Sequence, residues 1–214
     1  MEHTWVSADR ADNRGPGYAY INQSPAPSVV RNREAAVELS RRILLPKLGD
    51  PDYLVQRARR EIIASWCEQL PTAREALYML DVGGRLQPYR SLLQGREALY
   101  VAIDPVFEGL LDVAGIGEQL PFRDASFDLV ICTQVLNYAT SPSQVVAEIR
   151  RVLRSGGTLY LTAPAIFPLM HDHRWSFTPE GLRVLLADFS AIEIRAEGGS
   201  IAGMCRTINV FVET

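Results

Sequence analysis

LYMLDVGGRLQPYR, residues 77–90, decides how the rest of the chain is read. An apolar run ends at Asp81, Gly83 and Gly84 follow, and Arg85 and Gln87 stand where further glycines would continue a ligand-binding loop. Continuous apolarity before a glycine pair is the pattern of a strand covered on both faces that turns sharply at its carboxyl end. Glycines there remove the Cβ atoms that keep a ligand off the backbone, and Asp81 is placed to face a cationic amino group, directly or through water. A plain strand-to-helix turn is the competing reading of a lone glycine pair. A second acid, Asp104, ends the next apolar run some twenty residues on, where a carboxylate accepts ribose hydroxyls in nucleotide-cofactor folds.

Working outward, LYVAID (99–104), FDLVICT (127–133) and TLYLTAP (158–164) read as further buried strands. Between the last two, Ser141 and Gln144 form a capping-box pattern, and Val145, Ile149, Val152 and Leu153 make one stripe before a stop at Gly156. Thr178 and Pro179 open a later helix with Leu182, Leu185, Leu186 and Phe189 on one face. AIEIRAE (191–197) and RTINVFVE (206–213) alternate as strands, and the short GGSIAGMC between them predicts an antiparallel pair. Upstream, Ala36, Leu39 and Ile43 predict a helix from about Arg33 to Leu45, and Asp50, Pro51, Val55, Ala58, Ile62 and Trp66 predict a second one. Residues 1–30, rich in Pro, Gly, Asn and Ser, read as an irregular arm. The fold class expected is α/β: a doubly wound, mostly parallel sheet with an antiparallel C-terminal strand pair and an N-terminal helical lid. The division expected is 1–70 for arm and lid and 71–214 for the sheet domain.

Composition narrows the function classes. The 214 residues carry 22 Lys and Arg against 25 Asp and Glu, a formal net charge of -3, which gives no general field for nucleic acid. Cys67, Cys132 and Cys205 are odd in number and lack metal-site spacing, so reduced, structural thiols and no metal are expected. The start, MEHTWVSADR, has no apolar signal core, and no apolar run approaches the roughly 20 residues of a membrane span, so a cytoplasmic location is expected.

The run from LDVGG through YVAIDP, EQLPFRDASFDLVICTQVLNYA, AEIRRVLRSGGTLYLTAPA and FTPEGLRVLL, about residues 75–190, resembles the S-adenosylmethionine-dependent class I methyltransferases, specifically the type 11 methyltransferase-domain family. The resemblance implies a Rossmann-like methyltransferase fold and S-adenosylmethionine as cofactor. It places Asp81, Gly83 and Gly84 at the methionine part, Asp104 at the ribose, Gly117 with Glu118 near the adenine, and Thr133 with Gln134 closing on the methionine end. The family loop resembles D-x-G-x-G-x-G, whereas Arg85 and Gln87 occupy the second and third glycine positions here. Left-handed geometry at those positions would cost about 1–2 kcal/mol each, so a relaxed path is expected, with Arg85 either reaching the cofactor carboxylate or solvated. Ile116 stands where members often carry an acid for the adenine amine, leaving backbone and apolar contacts for that base. The span from Asp104 to Leu120 leaves little room for the usual helix. GGRLQPYR and EGGSIAGMCRTINV resemble bacterial members linked to glycan or specialised-metabolite pathways, which implies a small-molecule acceptor.

A sulfonium methyl is already activated, so orientation can supply up to about 7–11 kcal/mol, and a base typically adds about 10² to 10⁴ in rate. The loop AIFPLMHDHRWSF gathers His171, Asp172, His173, Arg174 and Trp175 at the carboxyl end of the sheet. His171 and His173 are the candidate bases, and Tyr89, Asn137, Tyr138 and Trp175 the candidate acceptor contacts; packing and loop anchoring are the bland readings of the same residues. Arg31, Arg33, Arg41, Arg42, Arg57, Arg59 and Arg60 on the two lid helices offer charge to an anionic substrate, but interspersed acids favour a solvated face. The expected function is O- or N-methylation of a small molecule. The alternative is a methyltransferase-like domain that binds a ligand or partner without turnover. A nicotinamide dehydrogenase ranks third, because GGRLQP lacks the three-glycine phosphate fingerprint.

Overall fold

The computed structural model describes residues 33–50, 52–70, 77–93, 95–106, 109–165 and 173–197. In chain order these form helices α1 (Arg33–Leu44) and α2 (Tyr53–Gln69), strand β1 (Leu77–Val82), a 3-10 turn (Arg90–Leu93), and strands β2 (Glu97–Asp104), β3 (Val113–Ala114) and β4 (Phe127–Thr133). Helix α3 (Pro142–Val152), strand β5 (Leu153–Thr162) and helix α4 (Pro179–Leu185) complete them. The strands order as β3-β2-β1-β4-β5, and every pairing is parallel. The chain therefore leaves β1 toward one edge and returns to lay β4 on its other side. That reversal is the switch point where open α/β sheets bind ligands.

Strand alternation divides the core into two layers, which is why the apolar runs are continuous. Leu80, Val82, Ile103, Val130 and Cys132 face α3 and α4, whose Val145, Ile149, Val152, Leu185 and Leu186 pack there. Met79, Tyr100, Ala102, Leu129, Ile131 and Tyr160 face α2, which contributes Ile63 and Cys67. Helices on both faces make the sheet doubly wound. Burial raises the Cys67 thiol to about 11 and pushes the Cys132 thiol up as well, consistent with inert core cysteines.

Several expectations change in detail. Ser141 caps α3, its hydroxyl accepting from Gln144 N at 3.4 Å, and Thr178 caps α4, accepting from Gly181 N at 3.0 Å. Gly156 does not stop α3; the helix passes into β5 at Leu153, and Gly156 takes φ +77° inside the slip where Phe127 pairs Leu153 but Leu129 pairs Thr158. Asp50 does not cap α2: its carboxylate accepts from Lys47 N at 2.7 Å and pairs with Arg42 at 3.4 Å. Pro51 lies outside the described residues. The α2 face that reaches the core runs through Arg59, Ile63 and Cys67, one position beyond the stripe of Ala58, Ile62 and Trp66. That helix is therefore a core layer along its second half. The two-residue β3 escaped sequence reading, being too short to show a period. Among the described residues between Asp104 and Leu120 there is no helix.

Residues 191–197 form no strand among the described residues, although Ile192 and Ile194 are half-buried between exposed neighbours. Residues 206–213, their expected antiparallel partner, lie outside the described residues, as do the arm, Arg31 and Cys205. No described helix is long and apolar enough to cross a membrane.

Candidate active site

The carboxyl ends of β1, β2 and β4 open onto a cavity of about 630 Å³. Val82 and Gly83 line it from β1, Ile103 and Asp104 from β2, Thr133 and Gln134 from β4, and Gly115 to Gln119 from the segment after β3. Ile43, Asp52, Val55, Gln56 and Arg59 from α1, α2 and their connection close the other side.

Gly83 takes φ +77°, and a Cβ there would overlap Val135 Cγ2, so both conformation and contact require glycine. A Cβ on Gly84 would lie 2.6 Å from Asp81 Cγ and 2.7 Å from Asp81 Oδ2. The second glycine thus lets the loop settle directly over the Asp81 carboxylate. Backbone N–H groups of Gly83 and Gly84 both donate to Ile103 O, at 2.8 and 3.2 Å, tying the loop to the end of β2. Gln87, at the third glycine position, keeps a left-handed φ of +47°, so the loop has not relaxed there as expected. Its side chain compensates: Nε2 donates to Leu110 O, and Oε1 accepts from Arg90 at 2.9 Å. Arg85 has no positive φ and lines the cavity.

The two acids differ in setting. Asp104 lines the cavity, 7% exposed, with Oδ1 accepting from Val106 N at 2.9 Å. Burial raises its pKa, opposed by that N–H and by the Arg85 charge. Asp81 is 4% exposed and lies beneath the loop, not among the cavity-lining residues; its Oδ2 accepts from Tyr100 Oη at 2.6 Å. Burial, partly offset by the Tyr100 hydrogen bond and reinforced by Asp104, lifts Asp81 to about 7. Gly117 is buried against Val145, and Ile116, 47% exposed, lines the cavity. Glu118 lines it too, but its Oε1 accepts from Thr140 N at 2.8 Å, pinning the entry to α3. Gln134 takes φ +57° and is held by Thr162, through its backbone N–H at 3.0 Å and its side chain at 3.1 Å.

The acceptor candidates separate. Tyr89, 3% exposed, and Tyr138 line the cavity; Asn137, His173 and Trp175 do not. His173 Nε2 lies 2.8 Å from Tyr138 Oη and 2.9 Å from Asn137 Nδ2, with the Tyr138 and His173 rings edge to face at 4.7 Å. His173 therefore reaches the cavity through Tyr138. Trp175 is 44% exposed, and its Nε1 donates to Ala139 O at 2.8 Å, an anchoring contact. His171 and Asp172 lie outside the described residues. Among the described residues no cluster of His, Cys, Asp or Glu could hold a metal.

Sequence reading named two contributors, Arg59 and Arg174, without singling them out, and missed a third, Tyr100. Arg59 is not a solvated helix charge: it is 9% exposed, lines the cavity, and pairs with Glu197 at 2.7 Å. Although burial opposes its charge, Glu197 and Tyr89 hold the guanidinium protonated. Arg174 lines the cavity and donates to Tyr138 O. Tyr100 could have been suspected, because a phenol in a buried strand needs a polar partner and Asp81 is the acid ending its neighbour.

Comparison with known proteins fits this geometry. Residues 80–161 match a family model described as a methyltransferase domain. A biotin biosynthesis bifunctional protein of Cellvibrio japonicus is 28% identical over 116 residues, 49% of this chain and 23% of its own length. A human thiol S-methyltransferase is 54% identical over 49 residues, 22% of this chain and 20% of its own. The chain thus spans about a quarter or less of the curated relatives it matches. Among solved structures, the 1,6-didemethyltoxoflavin-N1-methyltransferase of Burkholderia thailandensis, bound to its substrate and S-adenosylhomocysteine, superposes with a TM-score of 0.54 at 20% identity. That superposition covers 71% of this chain and 74% of the other, a likeness of fold. The segment 80–161, which carries three of the five strands in full and lines much of the cavity, is thus similar to a methyltransferase domain.

Proposed function

We propose that the chain is an S-adenosylmethionine-dependent methyltransferase acting on a small molecule. The observation that carries this is the meeting of Asp104 and the Gly83 backbone at one cavity, at the carboxyl ends of neighbouring strands. The residues fit the cofactor: Asp104 offers a buried carboxylate to a ribose, the Gly83 backbone lines the cavity beside it for an amino-acid tail, and Ile116 with Gly117 gives an adenine an apolar bed. When bound, that cofactor supplies a methyl group already activated on a sulfonium. This chain's residues then have to orient an acceptor and receive its proton, and orientation is the larger contribution.

Tyr138 and Tyr89 on the cavity wall, with Arg174, support an acceptor site beside the methionine end. With His173 protonated on Nδ1, its Nε2 accepts from Tyr138 Oη. An acceptor proton can pass to that oxygen as the phenol proton passes to Nε2. His173 is accordingly a base acting through Tyr138, and the acceptor is an oxygen or nitrogen nucleophile. The start of α2 serves as the lid over this site. The similarity to a thiol methyltransferase brings sulfur acceptors into the same test.

Calorimetry with S-adenosylhomocysteine is that test. Micromolar binding is expected, and Asp104→Ala should weaken it about 10- to 100-fold, since hydrogen bonds to a charged group are worth about 1.5–3 kcal/mol. Unchanged affinity in that variant refutes the assignment of Asp104. Turnover of any small molecule from a cell extract separates the enzyme from a binding-only domain, and Tyr138→Phe should then lower kcat by about 10² to 10⁴ while cofactor affinity holds.

A further inference from the structure

Residues 137–139, just past β4, and residues 173–175, ahead of α4, are stitched together. Asn137 O accepts from Arg174 N at 2.8 Å and Trp175 N at 3.3 Å, Tyr138 O accepts from the Arg174 guanidinium, and Ala139 O accepts from Trp175 Nε1 at 2.8 Å. His173 is therefore held at one place, with Nε2 2.9 Å from Asn137 Nδ2 and 2.8 Å from Tyr138 Oη. The two contacts differ in what they permit. A phenol donates or accepts, so Tyr138 is compatible with a proton on either ring nitrogen. An amide nitrogen only donates, so a ring nitrogen facing Asn137 Nδ2 has to accept. Asn137 is fully buried, and in presenting its nitrogen to the ring it leaves Oδ1 without a hydrogen-bond partner among the described residues. That is the less costly orientation, because buried N–H groups are left unpaired more rarely than carbonyl oxygens.

We infer that Asn137 is a positioning residue for the Tyr138 and His173 pair: its amide N–H, and not the phenol, keeps His173 Nε2 unprotonated, so that the Tyr138 hydroxyl donates to that nitrogen from the cavity wall. This rests on the proton path through Tyr138 to His173 given above. Asn137 does not line the cavity, so it meets no acceptor; what it sets is the direction of a proton. Methyl transfer from a sulfonium to an acceptor O–H or N–H forms one bond from the acceptor atom to carbon and releases one proton. With Nε2 bare, that proton passes to the Tyr138 oxygen as the phenol proton passes to Nε2, and the positive charge ends on the imidazolium. A ring already protonated on Nε2 offers the phenol no acceptor, and the relay has no end. The stitching of 137–139 to 173–175 keeps the three groups in register.

The test reads the tautomer itself, from long-range proton–nitrogen correlation spectra of the full chain labelled with nitrogen-15, at about pH 8, above the ordinary histidine range. The chain has three histidines, and His173→Gln identifies the ring by the signals it removes. Wild type should show His173 with Nε2 unprotonated and Nδ1 protonated. Tyr138→Phe should keep that pattern, whereas Asn137→Leu should lose it, its Nε2 signal shifting toward the protonated position. A proton on Nε2 in wild type, loss of the pattern in Tyr138→Phe, or its retention in Asn137→Leu overturns the inference. Should Asn137→Leu not fold, wild type and Tyr138→Phe decide the matter: Nε2 unprotonated in both supports the assignment, and a proton there in either overturns it. No nucleoside or acceptor enters the measurement. Failure to bind S-adenosylhomocysteine, or turnover by Tyr138→Phe at the wild-type rate, instead overturns the reading on which this rests and leaves the tautomer result standing.

Discussion

Gln87 holds φ +47°, a conformation that costs a non-glycine residue about 1–2 kcal/mol. Its two side-chain hydrogen bonds are each worth about 0.5–1.5 kcal/mol, so strain and bonding nearly cancel. Gln87→Gly should therefore leave stability within about 1 kcal/mol of wild type, whereas Gln87→Ala keeps the strain, loses the bonds and should cost about 1–3 kcal/mol, as urea unfolding would show. Asp81 carries the opposite balance. Its folded value of about 7 stands above the unfolded value near 3.9, so the folded protein retains a proton that the unfolded chain has released between them. Stability falls as pH rises through that interval, and the full cost is present above about pH 7. Asp81→Asn should match wild type near about pH 4 and be more stable by on the order of 2–4 kcal/mol at about pH 8, read from unfolding at both pH values. Asp104 and Gly83 were legible from sequence because each ends a recognisable apolar run. Tyr100 was not singled out, since an aromatic residue in a strand reads equally well as packing.

At the scale of elements, α2 shows what periodicity reveals and what it hides. Its apolar spacing announces a helix, but a stripe about 100° wide does not fix which row turns inward. Arg59 occupies the inward row because Glu197, 138 residues on, supplies its partner, and nothing local to the helix foretells that. Removing one member of a buried pair strands the other charge, at about 3–5 kcal/mol. Arg59→Met should show that loss in chemical denaturation, and the double variant with Glu197→Gln should recover part of it. Arg151 does comparable work near the C-terminal end of α3, away from the cavity. It donates to Glu148, Asp124, Phe122 O and Leu120 O, fastening the segment after β3 to α3. The exposed ion pairs there contribute little individually; the two backbone carbonyls make the clamp.

For the whole molecule, the doubly wound, mostly parallel sheet was legible because alternating strands and helices leave few arrangements, whereas the strand order was not read from the sequence. The cavity's floor was legible in motifs, whereas its roof was expected only as an N-terminal helical lid. Its roof comes from the N-terminal helices, whose docking depends on shape and not on any motif. A nucleoside that fills both parts couples them, so S-adenosylhomocysteine at about 100 times its Kd should add about 2.7 kcal/mol and raise Tm by roughly 5–10 °C. No change in Tm under those conditions would contradict occupation of the cavity.

The junction of α3 and β5 has a practical consequence. Gly156 stands in open space, with nothing within 4 Å of the Cβ it lacks, and Ser155 beside it is exposed at the amino-terminal edge of the sheet, across the strands from the cavity. Cys67 and Cys132 are buried. A fluorophore attached through Ser155→Cys, with Cys205 replaced by serine, gives a handle for surface tethering or energy-transfer measurements that leaves every cavity wall untouched.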